Sequence, residues 1–158
     1  MYWRLFGISA IIAFGIDQIS KWLVVHQWSL KTQGVMEVFP PYLVFRMGWN
    51  RGVNFGLFSG SPDAARWVLI GVAAIICALV IWWMRKEADN RLAMISAGLL
   101  VGGALANVLD RLIYGAVADF LNMSCCGITN PFSFNIADVW IFVGAVGLIF
   151  ATDSKKQA

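Results

Sequence analysis

Hydrophobic residues in this chain fall into four long runs separated by polar segments of very different lengths. The runs cover residues 5–25, 67–84, 92–109 and 135–152. At a rise of about 1.5 Å per residue, the first three runs are long enough to cross a bilayer as helices. The fourth reaches that length only if it begins at Asn135 and continues past Ala151. The pattern predicts four transmembrane helices in one integral membrane domain covering residues 1–158.

Small residues recur about every four positions in three of these runs. They are Gly71, Ala74 and Ala78 in the second run, Gly98, Gly102 and Ala106 in the third, and Gly144, Gly147 and Ala151 in the fourth. Such spacing lets the backbones of two membrane helices approach closely. We therefore expect these faces to be helix contacts in a compact bundle.

The loop of residues 26–66 carries a different pattern. Short apolar and aromatic stretches at Val35–Phe39 and Tyr42–Phe45 flank Pro40-Pro41, and several glycines follow. Short strands with glycine bends fit this pattern, whereas a 3.6-residue repeat is absent. The predicted fold class is an all-α membrane protein with four transmembrane helices and a small extracytoplasmic β-sheet in this first loop. The second loop covers residues 110–134.

Composition and charge agree with a membrane protein and indicate its orientation. Of the 158 residues, 59% are hydrophobic and only 13% are charged, about half the usual charged fraction of a soluble domain. Six Lys and Arg residues fall on each side of the predicted topology, but those on the side of the termini are packed into very short segments. Since short loops weigh most in the positive-inside rule, both termini are predicted to be cytoplasmic.

The first run also resembles a cleaved signal peptide, with Arg4 before an apolar stretch and Ala13-Phe14-Gly15 after it. Apolar residues nevertheless resume through Val25, and Asp17 and Lys21 would have no role after cleavage. A retained helix is therefore the preferred interpretation.

Several kinds of chemistry are disfavoured by composition. The net charge of +3 comes from scattered basic residues, so no nucleic-acid partner is expected. The cysteines Cys77, Cys125 and Cys126 and the single histidine, His26, do not have the spacing of a zinc site. We expect no metal and no cofactor, and one histidine makes a Ser-His-Asp mechanism improbable.

Polar residues of three predicted helices converge on one end of the bundle, because successive helices alternate in direction. They are Asp17, Lys21, Asn107, Asp110, Arg111, Asn135 and Asp138. Asp119 follows in the second loop, between Val117-Ala118 and Phe120-Leu121, with no neighbouring cation. Ionisable groups at a membrane are costly, so they indicate a functional site.

Two of these acids, Asp119 and Asp138, are the candidate catalytic pair. Brought together, two carboxyl groups share one proton and activate a water molecule. Asp138 would lie at the positive start of the last helix and be ionised, so Asp119 would hold the proton. Simpler structural roles remain open: Asp17 and Lys21 have the spacing of a helical ion pair, and Asn135 with Asp138 has that of a helix cap.

Five motifs in order resemble those of bacterial lipoprotein signal peptidase, also called signal peptidase II. They are Asp17-Gln18-Ile19-Ser20-Lys21, Asn50-Arg51-Gly52 with Phe55-Gly56, Gly103-Ala104-Leu105-Ala106-Asn107 with Asp110-Arg111, Val117-Ala118-Asp119-Phe120, and Phe134-Asn135-Ile136-Ala137-Asp138. The resemblance covers nearly the whole chain in span number and motif order. Asn54 and Ala106 depart from the residues common in that family, which concerns substrate fit and not the catalytic pair.

The resemblance implies a multi-pass aspartic endopeptidase of the bacterial inner membrane. Such an enzyme removes the signal peptide from prolipoproteins by cleaving just before a cysteine that carries a diacylglyceryl group. The implied dyad is Asp119 and Asp138. The implied binding and supporting residues are Asn50, Gly52, Asn107, Arg111, Asn135, Asp17, Lys21 and Asp110. Membrane lipids are further implied partners, and globomycin-type cyclic peptides are implied inhibitors.

Two other classes of protein also place acids in a membrane. A small proton-coupled transporter would use them as proton sites, usually at the bilayer midplane on broken helices and within internal repeats. A structural membrane subunit would not need unpaired acids. The acids of this chain lie at one interface and no repeat is visible, which favours the peptidase.

Overall fold

The structure is a computed structural model that describes residues 2–52, 62–127 and 130–153. Within these ranges the chain is mostly helical with a small antiparallel sheet. The helices are α1 (Trp3–Lys21, continued by a π-helical segment Trp22–Gln27), α2 (Leu30–Gln33), α3 (Pro62–Met84), α4 (Arg91–Tyr114) and α5 (Ile136–Asp153). The strands are β1 (Val35–Phe39), β2 (Leu43–Asn50) and β3 (Val117–Met123).

Among the described residues, three helical segments are long and apolar enough to cross a membrane, namely Trp3–Gln27, Asp63–Met84 and Arg91–Tyr114. The apolar part of α5, Ile136–Ala151, is shorter. The protein is therefore a helical membrane protein, and the part of the chain that the structure describes holds three candidate spans and one shorter apolar helix.

Helix α4 is the centre of the bundle, and its glycines allow α1 and α5 to pack against it. A Cβ atom on Gly103 would lie 2.6 Å from the carbonyl oxygen of Ala137, and one on Gly144 would lie 2.6 Å from that of Ser96. On the other face of α4, Gly102 meets the backbone of Ala10. The expectation from small residues is thus confirmed for α4 and α5, where any larger side chain would separate the helices.

The same expectation is wrong for α3. A Cβ on Gly71 would contact nothing within 4 Å, and Ala74 and Ala78 are exposed. Instead, Cys77 and Met84 are buried in an apolar cluster with residues of α4. These side chains and their apolar neighbours make the contact between the two helices, so the backbones need not approach closely.

The sheet has the order β1-β2-β3, and all its neighbouring strands are antiparallel. β1 has its expected bounds, while β2 continues to Asn50, beyond the expected Phe45. The sheet expected in the first loop is present as β1 and β2, but it also includes β3, which comes from the second loop and was not expected. Pairing between strands so distant in sequence leaves no local periodic signal.

Strand β3 joins the sheet to the helical bundle. Its Phe120 packs in an apolar cluster with Val24, Leu30 and Phe45. On its other edge, Leu121 and Phe134 exchange backbone hydrogen bonds of 2.8 and 2.9 Å. Phe134 lies just before α5, so the sheet, the end of α4 and the start of α5 meet at one end of the molecule.

Candidate active site

Asp119 lies on β3 and its carboxyl group is turned toward α5. Side chains alternate along a strand, and the neighbouring Phe120 is fixed in the apolar cluster with its ring centroid 5.5 Å from that of Phe45. Asp119 therefore faces the opposite way, where it is only 4% exposed. Its Oδ1 accepts a hydrogen bond from Asn135 Nδ2 at 2.6 Å, and its Oδ2 accepts one from Asn50 Nδ2 at 3.0 Å.

Asp138 lies in the first turn of α5, where it takes part in a reciprocal helix cap with Asn135. The backbone N–H of Asp138 donates to Asn135 Oδ1 at 2.9 Å, and that of Asn135 donates to Asp138 Oδ2 at 3.2 Å. The cap expected from the sequence is therefore present. It uses only one carboxylate oxygen of Asp138, and the other accepts from Asn107 Nδ2 at 2.9 Å.

Asn107 and Asn135 form a chain of hydrogen bonds that links the two aspartates. Asn135 Nδ2 donates to Asn107 Oδ1 at 3.2 Å as well as to Asp119. Asn107 in turn donates to Asp138. Because the oxygen of each amide is held by another donor, both NH₂ groups are directed at a carboxylate or at the neighbouring asparagine.

Asn50 is oriented by a turn at Gly52. The backbone N–H of Gly52 donates to Asn50 Oδ1 at 2.9 Å, so the NH₂ group of Asn50 is left to face Asp119. Gly52 has a φ of +74°, and a Cβ there would meet the side chain of Leu69. A left-handed backbone beside a packed side chain requires glycine at this position.

The immediate donors to Asp119 are neutral amides, and its proton affinity is raised. Burial and the charge of Asp138 raise the pKa of Asp119 to about 6, against the opposing effect of the hydrogen bonds from Asn50 and Asn135. Asp119 therefore keeps its proton at a pH where an ordinary aspartate is ionised.

Asp17, Lys21 and Asp110 form a second, charged group beside the aspartate pair, which we call the ion cluster. Lys21 Nζ lies 2.7 Å from Asp17 Oδ2 and 2.8 Å from Asp110 Oδ2. It also donates to Asn107 Oδ1 at 3.2 Å. The ammonium group thus has an acceptor for each of its three protons, and the ion pair expected from the spacing of Asp17 and Lys21 is present.

The ion cluster also holds the backbone next to each aspartate of the pair. Asp17 Oδ1 accepts from the N–H of Ala137 at 2.8 Å, and Asp110 Oδ2 accepts from the N–H of Ala118 at 3.1 Å. Ala137 directly precedes Asp138, and Ala118 directly precedes Asp119. One buried cluster therefore fixes both the helix start and the strand that carry the pair.

Gln18 is a polar member of this site to which the sequence alone assigned no role. Its Nε2 donates to Asp110 Oδ1 at 3.0 Å and to the carbonyl oxygen of Ala106 at 3.3 Å, which ties α1 to α4. A glutamine between Asp17 and Lys21 in an apolar run is the signal that could have indicated it.

Arg111 lies nearby without a direct hydrogen bond to the pair among the described residues. Its Nη1 donates to the carbonyl oxygen of Asn107 at 3.4 Å, and its charge interacts with Asp119 and Asp138 through space. Of the other motif residues, Asn54, Phe55 and Gly56 lie outside the described part of the chain.

Two cavities of different character approach the aspartate pair. One of about 280 Å³ lies between α3, α4 and α5, is mostly apolar, and has Asn107 and Arg111 among its lining residues. The other, an open groove of about 550 Å³, runs between the end of β2 and residues 131–133, with Asp119 in its wall. The polar groove therefore borders Asp119 itself, whereas the apolar cavity borders Asn107, which donates to Asp138.

Two aspartates linked by hydrogen bonds at one end of a helical membrane fold are the arrangement that an aspartic-type membrane peptidase needs. Comparison with known proteins identifies the family. Residues 9–153 match the sequence model of signal peptidase II, and the chain belongs to that family.

Curated relatives carry the name of the same family, and solved structures share the fold. The chain is 38% identical to a lipoprotein signal peptidase of Rhodopseudomonas palustris (strain ATCC BAA-98 / CGA009), covering 93% of this chain and 90% of the relative. It is 42% identical to that of Methylorubrum extorquens (strain PA1), covering 96% and 86%. Two structures of a bacterial membrane enzyme, solved by the in meso method at 2.3 and 1.9 Å, are each 27% identical, with TM-scores of 0.77 and 0.79. They cover 94% and 92% of this chain, and the chain covers 87% and 90% of theirs.

These comparisons settle the choice of protein class. They support a peptidase that removes signal peptides from prolipoproteins, and they give no support to the transporter alternative.

Proposed function

We propose that Asp119 and Asp138 are the catalytic dyad with which this signal peptidase II family member cleaves prolipoproteins. The main support is the Asn107–Asn135 hydrogen-bond chain, which links one carboxyl group on a strand to another on a helix. A purely structural cap would need Asp138 and Asn135 alone. The direct test is cleavage of a purified prolipoprotein by the purified protein in detergent, with Asp119→Asn as the matched inactive control.

In the proposed mechanism a water molecule lies between the two carboxyl groups. Asp138, at the positive end of α5, is ionised and accepts a proton from the water as it attacks the scissile carbonyl carbon. Asp119, with its pKa raised to about 6, donates its proton to the carbonyl oxygen. The protonation state belongs to the pair as a unit, since the two groups are coupled.

The other polar residues support the dyad in different ways. Asn50, Asn107 and Asn135 direct N–H donors at the carboxyl oxygens, and Gly52 orients Asn50. Asp17, Lys21 and Asp110 position the backbone through Ala118 and Ala137. Arg111 lies beside the apolar cavity, where its charge can bind the polar part of a substrate.

We place the site at the extracytoplasmic face of the bacterial inner membrane. In this arrangement α5 is the fourth span, both termini are cytoplasmic, and the sheet lies on the outer surface as part of the same single domain. A cysteine at Thr32 should react with an impermeant thiol reagent in intact cells, and a cysteine at Arg85 should not, in a variant lacking Cys125 and Cys126. Labelling at Arg85 alone would invert the orientation.

The proposed substrate carries a diacylglyceryl group on the cysteine that follows the scissile bond. Each buried methylene contributes about 0.8 kcal/mol to membrane partitioning, so two acyl chains hold the cysteine at the outer leaflet. The apolar cavity between α3, α4 and α5 opens at the depth of Asn107, next to Asp138. The open groove beside Asp119 would receive the polar chain that follows the cysteine.

Lipid recognition is tested with two precursors that differ only in the diacylglyceryl group. The lipidated precursor should be cleaved far faster at equal concentration in the same bilayer, because its scissile bond is held at the depth of the dyad. Equal rates would show that the lipid is not recognised, while leaving the dyad itself intact. By family resemblance, globomycin-type cyclic peptides should inhibit the same reaction competitively.

A further inference from the structure

Cys125 and Cys126 are consecutive, exposed thiols that take no part in the proposed chemistry. Both are free, and their Sγ atoms lie 2.6 Å apart. Cys126 and Gly127 both have left-handed backbone conformations, with φ values of 60° and 81°, so the chain turns sharply at the pair. The two side chains therefore lie on the same side of the turn, with their sulfur atoms in contact.

The surrounding loop is held closed around this turn. Asn122 Nδ2 donates to the carbonyl oxygens of Asn130 and Phe132, each at 2.8 Å, and Ser124 Oγ accepts from the N–H of Asn130 at 3.0 Å. The cysteines lie at the tip of this loop. Its first arm is β3 with Asp119, and its second arm includes Phe132, which lines the groove beside Asp119.

We propose that Cys125 and Cys126 form a redox-active vicinal dithiol, which closes reversibly to a disulfide at the tip of the loop between β3 and α5. The oxidant is a disulfide, either a small molecule or a protein. One cysteine thiolate attacks it and releases the first thiol, and the second cysteine then attacks the mixed disulfide and releases the other thiol. The dithiol loses two hydrogens and two electrons, and the oxidant becomes two thiols.

The bond should be labile because the cysteines are adjacent in sequence. Consecutive Cα atoms are about 3.8 Å apart across a trans peptide, whereas disulfides usually join Cα atoms about 4.4–6.8 Å apart. The eight-membered ring is therefore strained, and strained, exposed disulfides are readily reduced. Such a bond suits a reversible modification rather than a permanent crosslink. The extracytoplasmic orientation proposed above would place it in an oxidising compartment.

Oxidation of the purified full-length protein by oxidised glutathione in detergent tests the proposal without using peptidase activity. We expect the peptide containing residues 125 and 126 to lose the mass of two hydrogens and to resist alkylation, with no disulfide formed between two protein chains. The hydrogen bond with Cys126 raises the pKa of Cys125, so the reaction should accelerate as the pH rises. Persistent free thiols, or a disulfide-linked dimer, would overturn the proposal.

Two variants show whether the oxidation occurs at Cys125 and Cys126 or at another thiol. Cys126→Ser should stop at a mixed disulfide with one glutathione on Cys125, whereas Cys77→Ala should react like the unmodified protein because Cys77 is buried in the helical bundle. Equilibration with glutathione buffers of increasing reducing strength then measures how readily the Cys125–Cys126 disulfide is reduced. The bond should open in buffers that leave an ordinary structural disulfide oxidised, and a bond that stays closed there would refute the reversible switch.

Discussion

The molecule holds two pairs of buried or half-buried aspartates at the same end of the helical bundle, and they are stabilised in opposite ways. In the ion cluster, Asp17 and Asp110 share the ammonium group of Lys21 at 2.7 and 2.8 Å. In the dyad, Asp119 and Asp138 accept hydrogen bonds from asparagine side chains and one backbone N–H. A shared cation holds the first pair, and neutral donors orient the second.

On this difference we assign a structural role to the aspartates of the ion cluster and a catalytic role to the aspartates of the dyad. In the ion cluster, every carboxylate oxygen accepts from Lys21, Gln18 or a backbone N–H, so these two acids hold neighbouring backbone in place. Acids held by neutral amides keep their mutual repulsion, which favours sharing one proton between them. Asn107 connects the two groups, because its oxygen accepts from Lys21 while its NH₂ group donates to Asp138.

The largest expected effect is the loss of cleavage in Asp119→Asn and Asp138→Asn. The amide has nearly the same shape but neither shares the proton nor acts as a base. General acid–base catalysis contributes about 10²–10⁴-fold, and each variant should lose at least that much in kcat. The measurement is the rate of signal-peptide release from a lipidated precursor, alongside the thermal unfolding midpoint.

Both dyad variants should remain folded, since Asn at either position can still accept hydrogen bonds. Substantial cleavage by either one would remove the distinction between the two pairs of acids. A variant that is inactive only because it unfolds would show up as a lowered midpoint.

Lys21→Met should have the next largest effect, and it should act on stability. It leaves Asp17 and Asp110 buried without their cation, and breaking a buried ion pair from one side costs about 3–5 kcal/mol. The midpoint of thermal unfolding in detergent measures this loss. The triple variant Lys21→Met, Asp17→Asn, Asp110→Asn is the control, because it removes the charges together and should recover much of the stability. No recovery would mean that the cluster does more than balance charge.

Asp17→Asn should reduce activity less completely than either dyad variant. Its amide oxygen can still accept the N–H of Ala137, but the attraction to Lys21 is lost. A small displacement of the helix start should lower kcat by about 10- to 100-fold with little change in KM. If a folded Asp17→Asn protein were as inactive as Asp119→Asn, the division between positioning and catalysis would be wrong.

Some parts of the candidate site can be predicted from the sequence, and others cannot. The Asp17–Lys21 pair and the Asn135–Asp138 cap follow from spacing along a single helix, so local patterns predicted them. The pairing of β3 with β2 did not follow, because strands from two different loops meet only in the folded chain. The sequence therefore indicated Asp119 as a suspect but not the strand that directs it.

The hydrogen bonds between side chains and backbone N–H groups could not be predicted from the sequence either. Asp17 and Asp110 act through the N–H groups of Ala137 and Ala118, and alanine carries no signal of such a role in the sequence. The prediction of the packing face of α3 was wrong because the spacing of small residues does not say which face of a helix is buried. The small residues of α3 are exposed, and Cys77 and Met84 make the contact with α4.

Ionisation of Asp119 also makes stability depend on pH. Its folded-state pKa of about 6 lies above the ordinary value of 3.8, so the folded protein binds this proton more tightly than the unfolded chain does. The resulting stabilisation is fully present below pH 3.8 and is lost as the pH rises through about 6. Asp119→Asn should remove this contribution from the pH dependence of the unfolding midpoint, and an unchanged dependence would assign it to another group.

The smallest expected effect is a shift in the pH profile of Asn50→Ala. If Asp119 must be protonated, kcat/KM of the unmodified protein should fall as the pH rises through about 6. The hydrogen bond from Asn50 stabilises the ionised form of Asp119 and lowers its pKa. Its removal should raise that pKa and move the falling limb to higher pH.

Asn122→Ala is the matched control, because Asn122 is also an asparagine beside β2 but donates to Asn130 and Phe132. A shift to lower pH in Asn50→Ala, or an equal shift in both variants, would show that neutral amides do not set the proton affinity of the dyad.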